Sequence, residues 1–219
     1  MSEAVFGFIG VLVGAAIPWL KEEWHRCRSR SENGKLLAVR VIGILDEFAE
    51  KCVEVAGDNG EEMGRPSHRE ADGQEYCYPV ATTPDAPHFS NDIDWRSTDD
   101  KLMFRAHMIA GKLRALDNYL GHLWSEVASP PDYSEFFEPR QEAFAKLGLE
   151  AMDIAAKLRR YHKLPDKEPV LWNEEWNAET FLTERLAKIA EIRDGRRRNM
   201  IENGFILSDE VHETGQVKT

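Results

Sequence analysis

Residues 134–165, SEFFEPRQEAFAKLGLEAMDIAAKLRRYHKLP, carry the clearest fold signal in this chain. Apolar side chains recur there in heptad register from Phe137 to Tyr161, which is the pattern of a helix that buries one stripe. Basic side chains in the last turn suit the negative end of the helix dipole. We therefore predict one long helix that begins near Ser134 and closes at Leu164–Pro165.

Three other segments show the same periodicity and are predicted helices: about 33–56, 97–128 and 174–193. Asn33–Gly34 is the expected point of a break or kink at the start of the first helix. Ser97 or Thr98 is predicted to cap the second. Because each apolar stripe must be covered by another element, the pattern predicts an all-α fold with a mainly antiparallel four-helix bundle.

A long polar connection, rich in glycine and proline, covers residues 58–96 and shows no periodicity. A connection of about 40 residues is rare in a compact domain and is either functional or disordered. Its one apolar patch, residues 76–80, is expected to pack on the bundle or to form a short extended piece. His68, Cys77 and His88 are its candidates for chemistry.

Residues 4–20 read AVFGFIGVLVGAAIPWL and contain no charged side chain. A helix of that length spans about 26 Å, just under the hydrocarbon core of about 30 Å. Trp19 and Trp24 lie at its C-terminal edge, where aromatic side chains favour the membrane interface. The segment is predicted to be a single transmembrane helix.

A basic collar follows this apolar segment in an otherwise acidic chain. Residues 21–40 contain six Lys or Arg and three Glu, whereas the net charge of the whole chain is −11. The positive-inside rule then predicts an inner (plasma) membrane protein with its N-terminus outside and its bulk in the cytoplasm. The residues expected to set this topology or to bind lipid headgroups are Lys21, Arg26, Arg28 and Arg30.

Two other interpretations of residues 4–20 stay open. A secretory signal peptide requires a positive N-terminal region, and Ser2–Glu3 supplies the opposite. A fully soluble bundle in which this helix is core requires protein on every face of it. Within the membrane interpretation, Gly7, Gly10 and Gly14 offer a small-residue face for self-association, although glycine is common in membrane helices generally.

The predicted domains are 1–32 (span and collar), 33–194 (bundle) and 195–219 (a loose C-terminal tail). A cluster of basic residues lies where the bundle meets the tail. Because Gly195 interrupts the cluster, we interpret it as favourable charge at a helix C-terminus, with contact to anionic lipid or nucleic acid as the alternative. Its members are Arg193, Arg196, Arg197 and Arg198.

Sequence motifs for catalysis, metal binding or cofactor binding are missing from the chain. It contains no glycine-rich phosphate loop, metalloprotease helix or nucleophile elbow, so no cofactor is expected. Cys27, Cys52 and Cys77 form an odd, widely spaced set, which argues against a disulfide framework and against a zinc site. The acidic net charge argues against general nucleic-acid binding.

Three stretches resemble uncharacterised single-pass inner-membrane proteins of proteobacteria, some of them in prophage or mobile-element settings: FGFIGVLVGAAIPWLKEEW (6–24), LLAVRVIGILDEFAEKCVEVAGDNG (36–60) and DIDW (92–95). The resemblance covers about the first 95 residues and includes no motif of known chemistry. It implies a bacterial inner-membrane setting and no particular activity.

These features favour a membrane-tethered cytoplasmic helical interaction or scaffold module. Its expected partners are the lipid bilayer and either a protein partner or further copies of the chain. An enzyme or effector with active residues in 58–96 is a less favoured alternative, and a fully soluble bundle with a buried N-terminal helix is another.

Overall fold

A computed structural model of the chain describes residues 2–71, 73–168 and 176–203; in its first helix, it describes side chains at 21–24 and from 28 onward. The helices are α1 (Ser2–Gly57), α2 (Asp100–His122), α3 (Ser134–His162) and α4 (Ala178–Glu202). Four two-residue strands pair as two antiparallel hairpins: β1 (Glu61–Glu62) with β2 (Arg65–Pro66), and β3 (His68–Arg69) with β4 (Glu75–Tyr76). The prediction of an all-α chain is therefore confirmed.

α3 is the central helix, and it packs against all three of the other helices. Its partners all run antiparallel to it, so α1, α2 and α4 point the same way around α3. The contacts that fix these directions are Gly34–His162 and Cys52–Gly148 for α1, Arg105–Asp153 and Trp124–Phe136 for α2, and Leu182–Gly148 and Arg196–Glu138 for α4.

The predicted break at Asn33–Gly34 is wrong, because α1 continues through it without interruption. Gly34 is instead a point of close approach between elements. A Cβ on Gly34 would lie 2.6 Å from His162 Cε1 and 3.0 Å from the carbonyl oxygen of Ser97. The glycine therefore serves tertiary packing, and the rest of the helix outweighs its low helix propensity.

α1 extends well beyond the bundle at its N-terminal end. Among its described side chains, those at 21–24 and 28–33 are all exposed, and Gly34 is the first buried residue. We call residues 2–33 the stalk; at 1.5 Å per residue it is about 48 Å long.

The membrane-spanning prediction gains no support from the structure. Over the part of the chain whose side chains are described, no helix is both long enough and apolar enough to cross a bilayer. Residues 4–20 lie within α1, but their side chains fall outside the described residues. The predicted span therefore stays a prediction.

The predicted apolar stripes form the core, with exceptions at their ends. Phe144, Ile154 and Leu158 of α3 are almost fully buried, as expected. Tyr161 is exposed and His162 takes its buried position. Val127 is also exposed, because a π-helical turn at Leu123–Val127 shifts the register after α2.

Asp99 caps α2, in place of Ser97 or Thr98. Its carboxylate accepts hydrogen bonds from the N–H groups of Lys101 and Leu102 at 2.9 and 3.1 Å. Aspartate is as good a cap as serine or threonine, so the sequence signal was right in kind and wrong by one or two residues.

α4 continues through Gly195 to Glu202, so residues 195–202, predicted to be a loose tail, are helical. The rest of the predicted tail, from residue 204, lies outside the described residues. The basic cluster therefore lies inside a helix and not at its C-terminus.

The connection 58–96 has defined structure, apart from residue 72, which is not described. It holds the two hairpins and a 3-10 turn at Trp95–Ser97. Cys77, in its apolar patch, is only 8% exposed, and its N–H donates to the carbonyl of Pro131 at 2.9 Å. The expectation that this patch packs on the bundle is confirmed.

Candidate functional site

One face of α2 carries an apolar stripe that lies open to solvent. Phe104, Met108 and Tyr119 are 63%, 40% and 50% exposed. Gly111 and Ala115 continue the face between them, and a Cβ on Gly111 would meet nothing within 4 Å. The spacings of four, three, four and four residues place all five on one side of the helix. We call this set the α2 stripe.

The α2 stripe is separate from the side of α2 that packs in the core. Ile109 and Leu113 lie on the buried side. At about 100° per residue, the centres of the two faces differ by about 140°, so the stripe faces away from the bundle. A helix needs one apolar face to pack in the core of its own domain, so the second apolar face of α2 has no role in that core.

Two ion pairs hold α2 on α3 beside the stripe. Arg105 Nη1 lies 2.8 Å from Asp153 Oδ2, and Lys112 Nζ lies 2.6 Å from Glu150 Oε2. Both pairs are partly solvated, so their main effect is to fix orientation. The α2 stripe therefore lies on a helix whose orientation is fixed by its contacts with α3.

A shallow groove of about 240 Å³ lies between α2 and residues 83–86. Its charged side chains are Asp85, Arg114 and Asp117, and burial raises the pKa of Asp117. Its lining includes no histidine or cysteine. The groove therefore lacks the pairing of a nucleophile with a histidine base that covalent catalysis commonly uses.

The structure places two of the three candidates from the 58–96 connection near each other, because His68 pairs with Tyr76, the neighbour of Cys77, in the hairpin of β3 and β4. His68 and His88 are exposed, whereas Cys77 is buried. No hydrogen bond or ring contact within the described residues joins His88 to His68 or Cys77. Burial, with Glu61 and Asp132 nearby, raises the pKa of Cys77, which disfavours the thiolate that a nucleophile needs.

A buried ion pair fastens the start of this connection to α3. Arg140 Nη1 lies 2.7 Å from Asp58 Oδ2, and both side chains are almost completely buried. Arg140 also donates to the carbonyl of Ala81, and Gln141 donates to the carbonyl of Asp58, each at 2.6 Å. The Asp58 carboxylate accepts from the N–H groups of Gly60, Val80 and Ala81.

Every buried side-chain nitrogen and oxygen of this Asp58 cluster therefore has a hydrogen-bond partner. We call the region the far end of the bundle. The role of this cluster is structural, because its ion pair and hydrogen bonds join α3 to the connection that follows α1.

At the opposite end, which we call the stalk end, the connection rejoins the bundle. His162 Nε2 lies 3.1 Å from Thr98 Oγ1, with its ring against Gly34. Arg30 of the stalk donates to the carbonyl of Arg96 at 2.7 Å. Burial lowers the pKa of His162, so this contact is made by a neutral imidazole.

Two of the collar residues, Arg28 and Arg30, have partners within the chain. Arg28 pairs with Glu32 at 3.0 Å and lies 5.7 Å from the ring centroid of Trp24. Lys21 is exposed. The side chain of Arg26 lies outside the described residues, as do the surroundings of Gly7, Gly10 and Gly14.

The basic cluster on α4 is engaged with α3. Arg193 pairs with Glu142, and Arg196 forms two hydrogen bonds with Glu138 at 2.6 and 2.9 Å. The hydrogen bond from Arg193, followed by Lys146, lowers the pKa of Glu142 against the opposing effect of burial. Two of the four arginines therefore bridge helices, a third possibility that the sequence pattern did not suggest.

Over the described residues, no group of three or more histidine, cysteine, aspartate or glutamate side chains is arranged to hold a metal ion. Comparison with known protein families, curated proteins and solved structures gives no match to this chain.

Of two sites missed by the sequence-based prediction, one carries a signal in the sequence and the other carries none. Phe104, Met108 and Tyr119 follow helical spacing beside the buried seam, and a search for a second stripe on the same helix would have found them. Asp58 and Arg140 are far apart in sequence and carry no motif. Their pairing depends on the tertiary fold alone.

Proposed function

We propose that this chain is a membrane-tethered helical interaction module that binds a protein partner through the α2 stripe. The observation that carries the proposal is the exposure of Phe104, Met108 and Tyr119 on one helix face. Contiguous exposed apolar surface is uncommon on monomeric proteins and marks interaction sites. An amphipathic partner helix packed along the α2 stripe would bury it, because apolar side chains on both helices recur every three or four residues.

The tether in this proposal is the apolar segment 4–20, followed by the basic collar. The proposed location is the inner membrane with the bundle in the cytoplasm, in line with the charge asymmetry and with the sequence resemblance. An unbroken α1 supports the same arrangement, because the helix that would cross the bilayer also contributes to the bundle core.

The test is partner recovery from membranes by the full chain and by two matched variants. Phe104→Glu places a charge in the α2 stripe, and Val39→Glu places one at an equally exposed apolar position on α1. We expect the wild type and Val39→Glu to recover the same partner, and Phe104→Glu to lose it. Self-association is measured in parallel by sedimentation in detergent.

Recovery of no specific partner together with no self-association would contradict the proposal. Equal recovery by Phe104→Glu would remove the α2 stripe as the binding face. Extraction of the full chain by alkaline carbonate, compared with a variant lacking residues 1–20, tests the tether separately from the stripe.

The alternative of an enzyme with residues in 58–96 gains no support from the exposed positions of His68 and His88 or from the burial of Cys77. It is tested by alanine substitution at each of the three. A change in a cellular phenotype, at unchanged protein level, would revive it.

A further inference from the structure

We infer that the stalk end of the bundle is a docking surface for anionic lipid headgroups, an inference that rests on the tether of the proposed function. Three elements meet there: α1 at Gly34, the turn at Trp95–Ser97, and the end of α3 at His162. Six exposed basic residues lie within four residues of these contacts along the chain: Arg30, Lys35, Arg96, Lys101, Arg160 and Lys163.

The basic residues of the stalk end differ from those of the bundle sides in their partners. Along the sides, Arg105, Arg159 and Arg196 each pair with a carboxylate of another helix. At the stalk end, none of the six forms an ion pair within the described part of the chain. Arg30 instead donates to a backbone carbonyl.

The acidic residues near this surface do not neutralise it. Asp94 and Asp99 use their carboxylates to accept backbone N–H groups at the starts of the 3-10 turn and of α2. Asp100, in the first turn of α2, is the third. Glu32 and Asp92 also lie near this end, where they pair with Arg28 and Arg40. With these pairs counted, eight basic residues accompany five acidic ones, an excess of three positive charges on a chain whose net charge is −11.

The stalk determines which anionic surface this end would meet. From residue 20 to Gly34 the helix rises about 21 Å, and a headgroup layer takes up roughly 6 Å of that rise. Long lysine and arginine side chains span part of the remainder, and the surface potential of anionic lipid extends about 8 Å at physiological salt. An anionic leaflet would therefore attract this end of the bundle.

The experiment uses the full chain reconstituted in nanodiscs of phosphatidylcholine alone or of phosphatidylcholine with phosphatidylserine. An amine-reactive reagent is applied, and labelling rates are read by mass spectrometry. We expect Lys101 and Lys163 to be labelled about fivefold more slowly in the phosphatidylserine discs, with the difference lost at high salt. Lys188, exposed on α4, is the internal control and should not change.

Equal labelling of Lys101 and Lys163 in both bilayers would overturn the inference. So would equal protection by inorganic phosphate in neutral discs, because that would identify a small-anion site. The variant Lys101→Gln, Arg160→Gln, Lys163→Gln changes only exposed side chains, and we expect it to abolish the protection of Lys35.

Failure of the tether gives a different result. If alkaline carbonate extracts the full chain, the same labelling is done with added vesicles of the two compositions. Protection by phosphatidylserine vesicles would then support the docking surface without the tether, and its absence would overturn it.

Discussion

The two ends of the bundle hold the same connection by opposite chemistry. At the far end, the connection begins at a buried ion pair between Asp58 and Arg140, where every buried side-chain nitrogen and oxygen has a hydrogen-bond partner. At the stalk end, it finishes at a hydrogen bond between Thr98 and a neutral His162. Loss of one partner of a buried charge pair greatly reduces stability, because the other charge stays buried and unpaired. A contact made by a neutral histidine instead weakens at low pH, because the ring becomes protonated.

Arg140→Met should have the largest effect, because it leaves the Asp58 carboxylate buried without its counter-ion. We expect a loss of about 3–5 kcal/mol in the free energy of unfolding. Urea unfolding followed by tryptophan fluorescence measures it, because Trp124 contacts the Phe136 ring, whose centroid lies 6.0 Å from the Arg140 guanidinium. The matched control is Arg105→Met, which breaks a partly solvated ion pair and should cost about 1 kcal/mol or less.

Equal losses for Arg140→Met and Arg105→Met would mean that the far end is not held by its buried charge. The double variant Asp58→Asn, Arg140→Met removes the charge that Arg140→Met leaves behind. It should recover part of the stability lost in the single variant.

Gly34→Ala should have the next largest effect, and it tests the packing of the stalk end. The new Cβ would overlap the His162 ring and approach the Ser97 carbonyl. Overpacking costs about 1–3 kcal/mol, while alanine regains about 1 kcal/mol of helix propensity, so a net loss is expected. Gly43→Ala, on the same helix with nothing within 4 Å, should stabilise the chain by about 1 kcal/mol.

Stabilisation by both alanine variants would show that α1 does not approach the end of α3 as described. The measurement is the urea midpoint at constant slope, which separates stability from a change in the unfolded state.

Acidification should weaken the stalk end more than the far end. The pKa of His162 lies below its ordinary value of 6.5 in the folded chain, so the unfolded chain binds more protons between the two values. Stability from this group is therefore complete above about pH 6.5, falls as the pH is lowered below it, and levels off under the folded pKa.

His162→Gln keeps a side-chain amide near Thr98 and cannot titrate. Its free energy of unfolding should fall less than that of the wild type between about pH 7.5 and pH 5.5. Parallel curves for the two proteins would assign the pH dependence to other groups.

Glu138→Gln should have the smallest effect, because its partner Arg196 is more than half exposed. We expect a change of about 0–1 kcal/mol that disappears in high salt. A larger loss of stability that does not depend on salt would mean that this exposed pair contributes as much as the buried pair of Asp58 and Arg140. The distinction between surface and buried charge would then fail.

The sequence predicted what depends on local pattern and missed what depends on meetings between distant residues. The heptad register of α3, from Phe137 to Leu158, follows from spacing alone and is confirmed. Gly34 was read as a break because low helix propensity is visible in sequence, whereas the ring of His162 beside it is not. The same limit hid the pairing of Asp58 with Arg140.

The candidate sites divide in the same way. Phe104, Met108 and Tyr119 have helical spacing that the sequence displays, and the structure adds that all three are exposed. The basic stalk end gathers residues from α1, α2 and α3, so no single stretch of sequence displays it.

Because α1 is continuous, the number of residues in the stalk sets the rotation of the bundle about the α1 axis, relative to the start of that helix. One residue inserted between 21 and 33 would turn the α2 stripe by about 100° around the α1 axis and raise it by about 1.5 Å. Seven inserted residues would restore its bearing to within about 20° while adding roughly 10 Å of height. The length of this one helix thus sets both the direction of the α2 stripe and its distance from the start of α1.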